Sequence, residues 1–139
     1  VWMQLGESAG HAAALAVKAR TTPAKLDPDV LMRQLASSRM MITFFNDIDV
    51  TRDDPRVPAA QYFGTKGFFA SYDAKLDAPL TEAVRAAWQE GFEKLEQGTL
   101  EPMQLVKTVH AADAQPSPAT DQKRVDFLMA EFSRFSMTR

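Results

Sequence analysis

Cysteine is missing altogether from the 139 residues. That excludes disulfide bridges, thiolate metal ligands and a cysteine nucleophile. Histidine is nearly missing: His11 and His110 are the only two, so a three-histidine metal site is excluded as well. Positive charge is not in excess. Sixteen Lys and Arg stand against eighteen Asp and Glu, a formal net charge of −2. A nucleic-acid partner is not expected, because the basic footprint of such a binder is lacking. No apolar run reaches the roughly 18–20 residues that a membrane span needs. The most apolar helix-like stretch, Leu5 to Ala19, is interrupted by Glu7, His11 and Lys18. It also lacks the basic leader and cleavage pattern of a signal peptide. There is no initiator methionine: the chain opens at Val1 and goes almost at once into a helical pattern. We therefore expect the C-terminal part of a longer protein, of unassigned localisation.

What is present is ordinary for a globular chain, with 45% hydrophobic and 24% charged residues. The pattern predicts a mainly α fold of about six helices and one short strand. A first helix is expected over 6–19, rich in Ala and ended by Thr21-Thr22-Pro23. Asp27 should cap a second helix, with Pro28 at its first position. The apolar run Met40 to Phe45 has strand length. Asn46 to Asp54 is an acidic turn region and the best candidate boundary. It divides residues 1–46 from a helical C-terminal domain, 47–139.

In that second part, helices are expected over 55–66, 80–96, 101–111 and 120–135. The loop 67–78 carries Phe68, Phe69, Tyr72 and Leu76 and should be packed down. Leu80, Val84, Ala87, Trp88, Phe92 and Leu95 follow helical spacing, so Trp88 should be buried. Residues 112–119, with Pro116 and Pro118, read as a linker. Val125, Leu128, Met129, Phe132 and Phe135 form the last apolar stripe. The core should be built from the third, fourth and sixth helices.

The opening VWMQLGESAGHAAALAVKA is a thin helical stretch. Gly6 and Gly10 would let another body approach the backbone. A helix start without bulky side chains offers free N–H groups and a dipole that favour negative charge. This stretch resembles the C-terminal flavin-contacting helix of FAD-dependent oxidoreductases of the glutathione-reductase-like superfamily. It is most similar to a bacterial group some of whose members carry the label xanthan lyase. The pattern is Met-x-Leu-Gly-x-x-Ala-Gly-x-Ala-Ala-Ala, met here by Met3, Leu5, Gly6, Ala9, Gly10, Ala12, Ala13 and Ala14. The resemblance implies that the helix start lies under the pyrimidine edge of the flavin, its amides stabilising charge on the reduced ring. The implied cofactor-contacting residues are Met3, Leu5, Gly6, Glu7, Ser8, Ala9 and Gly10. The resemblance covers about the first third of the chain. The Gly-x-Gly-x-x-Gly fingerprint that holds the ADP part of FAD is not in these residues. FAD is thus expected in a full-length protein and not on this chain alone. The partners implied are the rest of the FAD domain or, through the first helix, a second copy. If that face lacks its partner, the helix should pack back on the C-terminal helices or pair with another chain.

Asp49 to Leu95 is similar to one S-layer homology unit: acidic start, helix, Gly-aromatic loop, Asp-Pro turn, second helix. The matching positions are Asp54, Ala60, Tyr62, Gly67, Phe69, Tyr72, Asp73, Pro79, Leu80 and Thr81. Such units begin the second helix with Thr-Arg-Ala-Glu. Here it reads Thr81-Glu82-Ala83-Val84, with an acid for the Arg and Val for the capping Glu. That departure favours a structural appendage over a cell-wall anchor, which remains the alternative reading.

Other chemistry is weakly supplied. Asp47, Asp49 and Asp53 are spaced like the start of a calcium loop, but the central Gly is missing and Pro58 stands where the bidentate Glu belongs. His11 has no ligand partner at i+4, and His110 should sit near a helix C-terminus. Ser8 lacks a nucleophile-elbow context. Glu90 and Glu93 read as solvated. No residue pair supports lyase chemistry, and no catalytic or metal residue is assigned.

Overall fold

A computed structural model describes residues 2–138, with side chains described through Arg134. Among these residues the chain forms α1 (Trp2–Lys18), α2 (Pro28–Ser37), α3 (Val57–Thr65), β1 (Pro79–Thr81), α4 (Glu82–Gln97), α5 (Pro102–Ala114), β2 (Ala119–Lys123) and α6 (Arg124–Thr138). The fold is mainly α, as the apolar spacing predicts.

Helix ends follow their capping residues. Asp27 caps α2 by accepting the Asp29 amide at 2.9 Å, with Pro28 in the first turn. Thr81 caps α4 through the Val84 amide, and Gly98, with φ of 72°, closes it. Arg39 ends α2 with φ of 61°, a conformation that L side chains rarely adopt. Its guanidinium holds the Arg52 carbonyl at 2.8 Å and the Asp53 carboxylate at 2.6 Å, which ties the strained turn to the acidic region.

The run Met40 to Phe45 is not a strand, contrary to its apolar length. It has no strand neighbour. Instead the side chain of Gln61, fully buried on α3, accepts the amides of Ile42 and Thr43, each at 2.8 Å. One side-chain amide thus does the work of a missing ladder.

The strands lie elsewhere. β1 and β2 pair antiparallel, Pro79 opposite Lys123 and Thr81 opposite Ala119; β2 takes the last residue of the expected linker and 120–123, which were expected to open the last helix, so α6 starts at Arg124 instead. Each strand runs straight into a helix, so the pair ties together the starts of α4 and α6. The orphan amides there find partners across the junction: Glu82 on the Pro118 carbonyl, Ala83 on Ser117 Oγ, Arg124 on Ala78 and Val125 on Leu76.

The core joins α3, α4 and α6, as expected, and also draws in α5 and the packed loop. Trp88 is completely buried, and its indole N–H donates to the Phe68 carbonyl at 2.7 Å. Around it Phe63 meets Phe92 edge-on at 5.3 Å, and Phe127 stacks on Trp88 at 6.0 Å. Tyr72 alone of the four expected loop residues is exposed. Phe132 packs on this cluster. Phe135 lies outside the described side chains. Ala36 and Phe45 belong to the same buried cluster as Ala59 and Phe63. Packing is thus continuous across 46/47. α1 buries only Ala16 among the described residues.

Candidate functional site

The motif-bearing helix differs from expectation in where it begins. Trp2, Met3, Gln4 and Leu5 are already helical, so Gly6 to Gly10 lie in the second and third turns. The reason is local. Nothing at Trp2–Leu5 breaks a helix, and a glycine inside one costs only about 1 kcal/mol relative to alanine. The amides of Gly6, Glu7, Ser8, Ala9 and Gly10 are consequently committed to the i→i−4 ladder. Ser8 Oγ donates back to the Gln4 carbonyl at 2.8 Å, a mid-helix arrangement. Only the first turn, from Trp2 to Leu5, offers unladdered amides. Gly6 to Gly10 therefore supply clearance along a helix side rather than an amide-lined end.

That side is open. A Cβ placed on Gly6 or on Gly10 would meet nothing within 4 Å. Trp2 is 86% exposed and Met3 89%, with Leu5 and Val17 also exposed. The helix touches the rest of the chain through its second half, against α2 and the turn at Pro23–Lys25. It does not pack along the C-terminal helices, which removes one of the two outcomes expected for it.

A second place gathers titratable groups. A cleft of about 490 Å³ opens between the start of α2, α3, the end of α4 and residues 100–102. Asp29 stands in it. Its Oδ1 accepts from the Tyr62 hydroxyl and from Lys66 Nζ, each at 2.8 Å, and its Oδ2 from Arg33 at 3.0 Å. Burial pushes the Asp29 carboxyl up, but the Lys66 ammonium and the Tyr62 hydroxyl outweigh it and hold its pKa below the usual carboxylate value. Lys66 Nζ also sits 5.4 Å from the Tyr62 ring centre. Sequence reasoning missed this cluster: Tyr62 on α3 and its cap residue Lys66 are four apart, but their partner Asp29 is 33 residues upstream of the tyrosine. All three groups satisfy one another, so the cluster fastens α2 to α3 and presents no free nucleophile or base.

The acidic turn is likewise occupied. Asp47 accepts the Ala74 and Lys75 amides at 2.9 and 2.8 Å, while Asp49 accepts the Thr51 hydroxyl and amide. Asp53 pairs with Arg39, and Asp54 holds Arg56 at 2.9 Å. The carboxylates turn to different partners. Among the described residues no group of three or more His, Cys, Asp or Glu could hold a metal. His11 is half-buried, and His110 is exposed. α5 runs on to Ala114, a turn beyond the expected end, so His110 is not in its last turn. Glu90 bonds Lys94 at 2.6 Å along α4. Among the described residues no helix is long and apolar enough to cross a membrane.

Compared with known proteins, the chain matches no family model, no curated protein and no solved structure.

Proposed function

We propose that the chain is the C-terminal segment of an FAD-dependent oxidoreductase, incomplete for catalysis by itself. In this reading the first turns of α1, with Met3, Leu5, Gly6, Glu7, Ser8, Ala9 and Gly10, approach the flavin and the remainder of the cofactor domain, the thin side at Gly6 and Gly10 foremost. The single observation that carries it is the bare face of α1. Of the flavin-helix pattern, Met3, Leu5, Gly6, Ala9, Gly10, Ala13 and Ala14 are exposed and only Ala12 is half-buried. A flat ring can approach a helix closely only where side chains are missing, as at Gly6 and Gly10. The chain's own part is steric and orienting; the redox chemistry belongs to the cofactor.

The test is to express the complete open reading frame that encodes this segment and record its visible spectrum. A flavin spectrum that is lost or reduced in Gly6→Val, with α4 and the core still folded by circular dichroism, supports the reading. A colourless full-length product, or a Gly6→Val variant with full flavin content, overturns it. The 139-residue chain alone should be colourless, since it has no ADP-binding fingerprint.

The alternative is a non-catalytic, S-layer-homology-like structural or cell-wall interaction module. The observation favouring it is the α3–loop–α4 hairpin, closed by the Thr81 cap and the Trp88 to Phe68 hydrogen bond. Glu82 at the start of α4 opposes an anionic polymer. Co-sedimentation with purified cell-wall polymer would favour this alternative over the flavin reading.

A further inference from the structure

One side of α1 is unpartnered, and its shape and charge say what fits it. Down the helix, Ser8, His11, Ala12, Leu15 and Ala16 share one side and are half-buried or buried. The opposite side carries Met3, Gly6, Gly10, Ala13 and Val17, all exposed and spaced alternately three and four apart. That alternation is the seam of a two-helix coiled coil. Met3 is 89% exposed and Val17 78%.

We propose that this face pairs with the same face of a second copy, the two helices running antiparallel. The profile of the seam is narrow at Gly6 and Gly10 and wider at Ala13 and Val17. Antiparallel pairing seats Val17 of one copy over Gly6 of the other and Ala13 over Gly10, and the two-fold axis repeats both contacts. Parallel pairing would set Gly6 on Gly6 and Val17 on Val17, a gap followed by a bulge. Charge selects the same orientation. Glu7 and Lys18 lie on one flank of the seam near opposite ends of α1, and neither has an ion-pair partner among the described residues. With Val17 over Gly6, Glu7 of each copy lies about 3 Å along the axis from Lys18 of the other. A parallel pair would put equal flanks on opposite sides of the seam, leaving Glu7 and Lys18 of each copy without an opposite charge across it. Two helices about 25 Å long bury on the order of 1,000 Å² in total, at the low end for specific interfaces. The association is therefore weak and reversible. It does not rest on the flavin reading. It describes what covers this face when the chain stands alone, whereas a cofactor domain would cover it in a longer protein.

The experiment is sedimentation velocity on the 139-residue chain over a concentration series. The mass should rise from 15.4 kDa toward twice that value. Gly10→Leu should weaken association by about tenfold or more by blocking close approach. Leucine is a better helix former than glycine, so an unchanged far-UV spectrum separates this loss from unfolding. Glu7→Lys and Lys18→Glu should each weaken association several-fold, and the double variant should restore it. A mass fixed at 15.4 kDa at every concentration overturns the proposal. So does a Gly10→Leu chain that associates like the parent. A double variant that fails to recover overturns the antiparallel arrangement. Each of these results leaves the flavin test above untouched, since that test reads bound cofactor and not mass.

Discussion

Replacing Gln61 by methionine keeps the length and bulk of the side chain and removes its acceptor. Two amides, those of Ile42 and Thr43, then lose the oxygen they share at 2.8 Å. A donor left unsatisfied in the interior costs about 1–3 kcal/mol, so two set a ceiling of about 6 kcal/mol. Two effects pull this down. Gln61 Nε2 is buried without a hydrogen-bond partner, and losing it removes a comparable desolvation cost. Ile42 and Thr43 are half-buried, so water reaches part of the exposed edge. The net expectation is a loss of about 1–3 kcal/mol. At roughly 3–5 °C per kcal/mol for a chain of this size, the melting temperature should fall by roughly 3–15 °C.

Urea unfolding measures the loss as a shift of midpoint at constant slope. Hydrogen exchange locates it: protection of the Ile42 and Thr43 amides should collapse while the α4 amides stay protected up to the global limit. If Gln61→Met lies within 0.5 kcal/mol of the parent, or those two amides exchange unchanged, the side-chain latch does not hold the 40–46 segment.

Three further outcomes follow from the same packing. Trp88→Ala should destabilise by about 3–5 kcal/mol, because it opens a cavity beside Phe127 and leaves the Phe68 carbonyl unpaired; a nearly unchanged melting temperature would contradict the burial. Gly67→Ala should destabilise by about 1–3 kcal/mol or more, since φ is 83° and the new Cβ would run into the Pro102 carbonyl; differential scanning calorimetry reads this directly. The folded-state pKa of Asp29 lies below its unfolded value, so its contribution is present above about pH 4 and is lost as pH falls through the folded value. Acid titration of stability should therefore be shallower in Asp29→Asn than in the parent, and an identical acid slope would show that the Lys66 and Tyr62 contacts carry no linkage.

The helices were legible because their signals are local. Asp27-Pro28 marks an end by chemistry that acts within four residues, and the Trp88 stripe declares its own buried face. The errors fall where the deciding partner is distant in sequence. Met40 to Phe45 looks like a strand in isolation, and only Gln61, about twenty residues on, turns it into a latched coil. Ala119–Lys123 is polar and almost wholly exposed, so nothing in its composition announces a strand; its partner is Pro79–Thr81, about forty residues upstream. The same logic governs the candidate site. The Gly6 and Gly10 pattern was visible, but the helix start was misplaced because a thin stretch was read as an end. Four residues of ordinary helix formers before Gly6 are enough to move the free amides a turn away. What remains of the motif is its shape, and a bare, narrow helix face draws its meaning from whatever body is flat or grooved enough to lie on it.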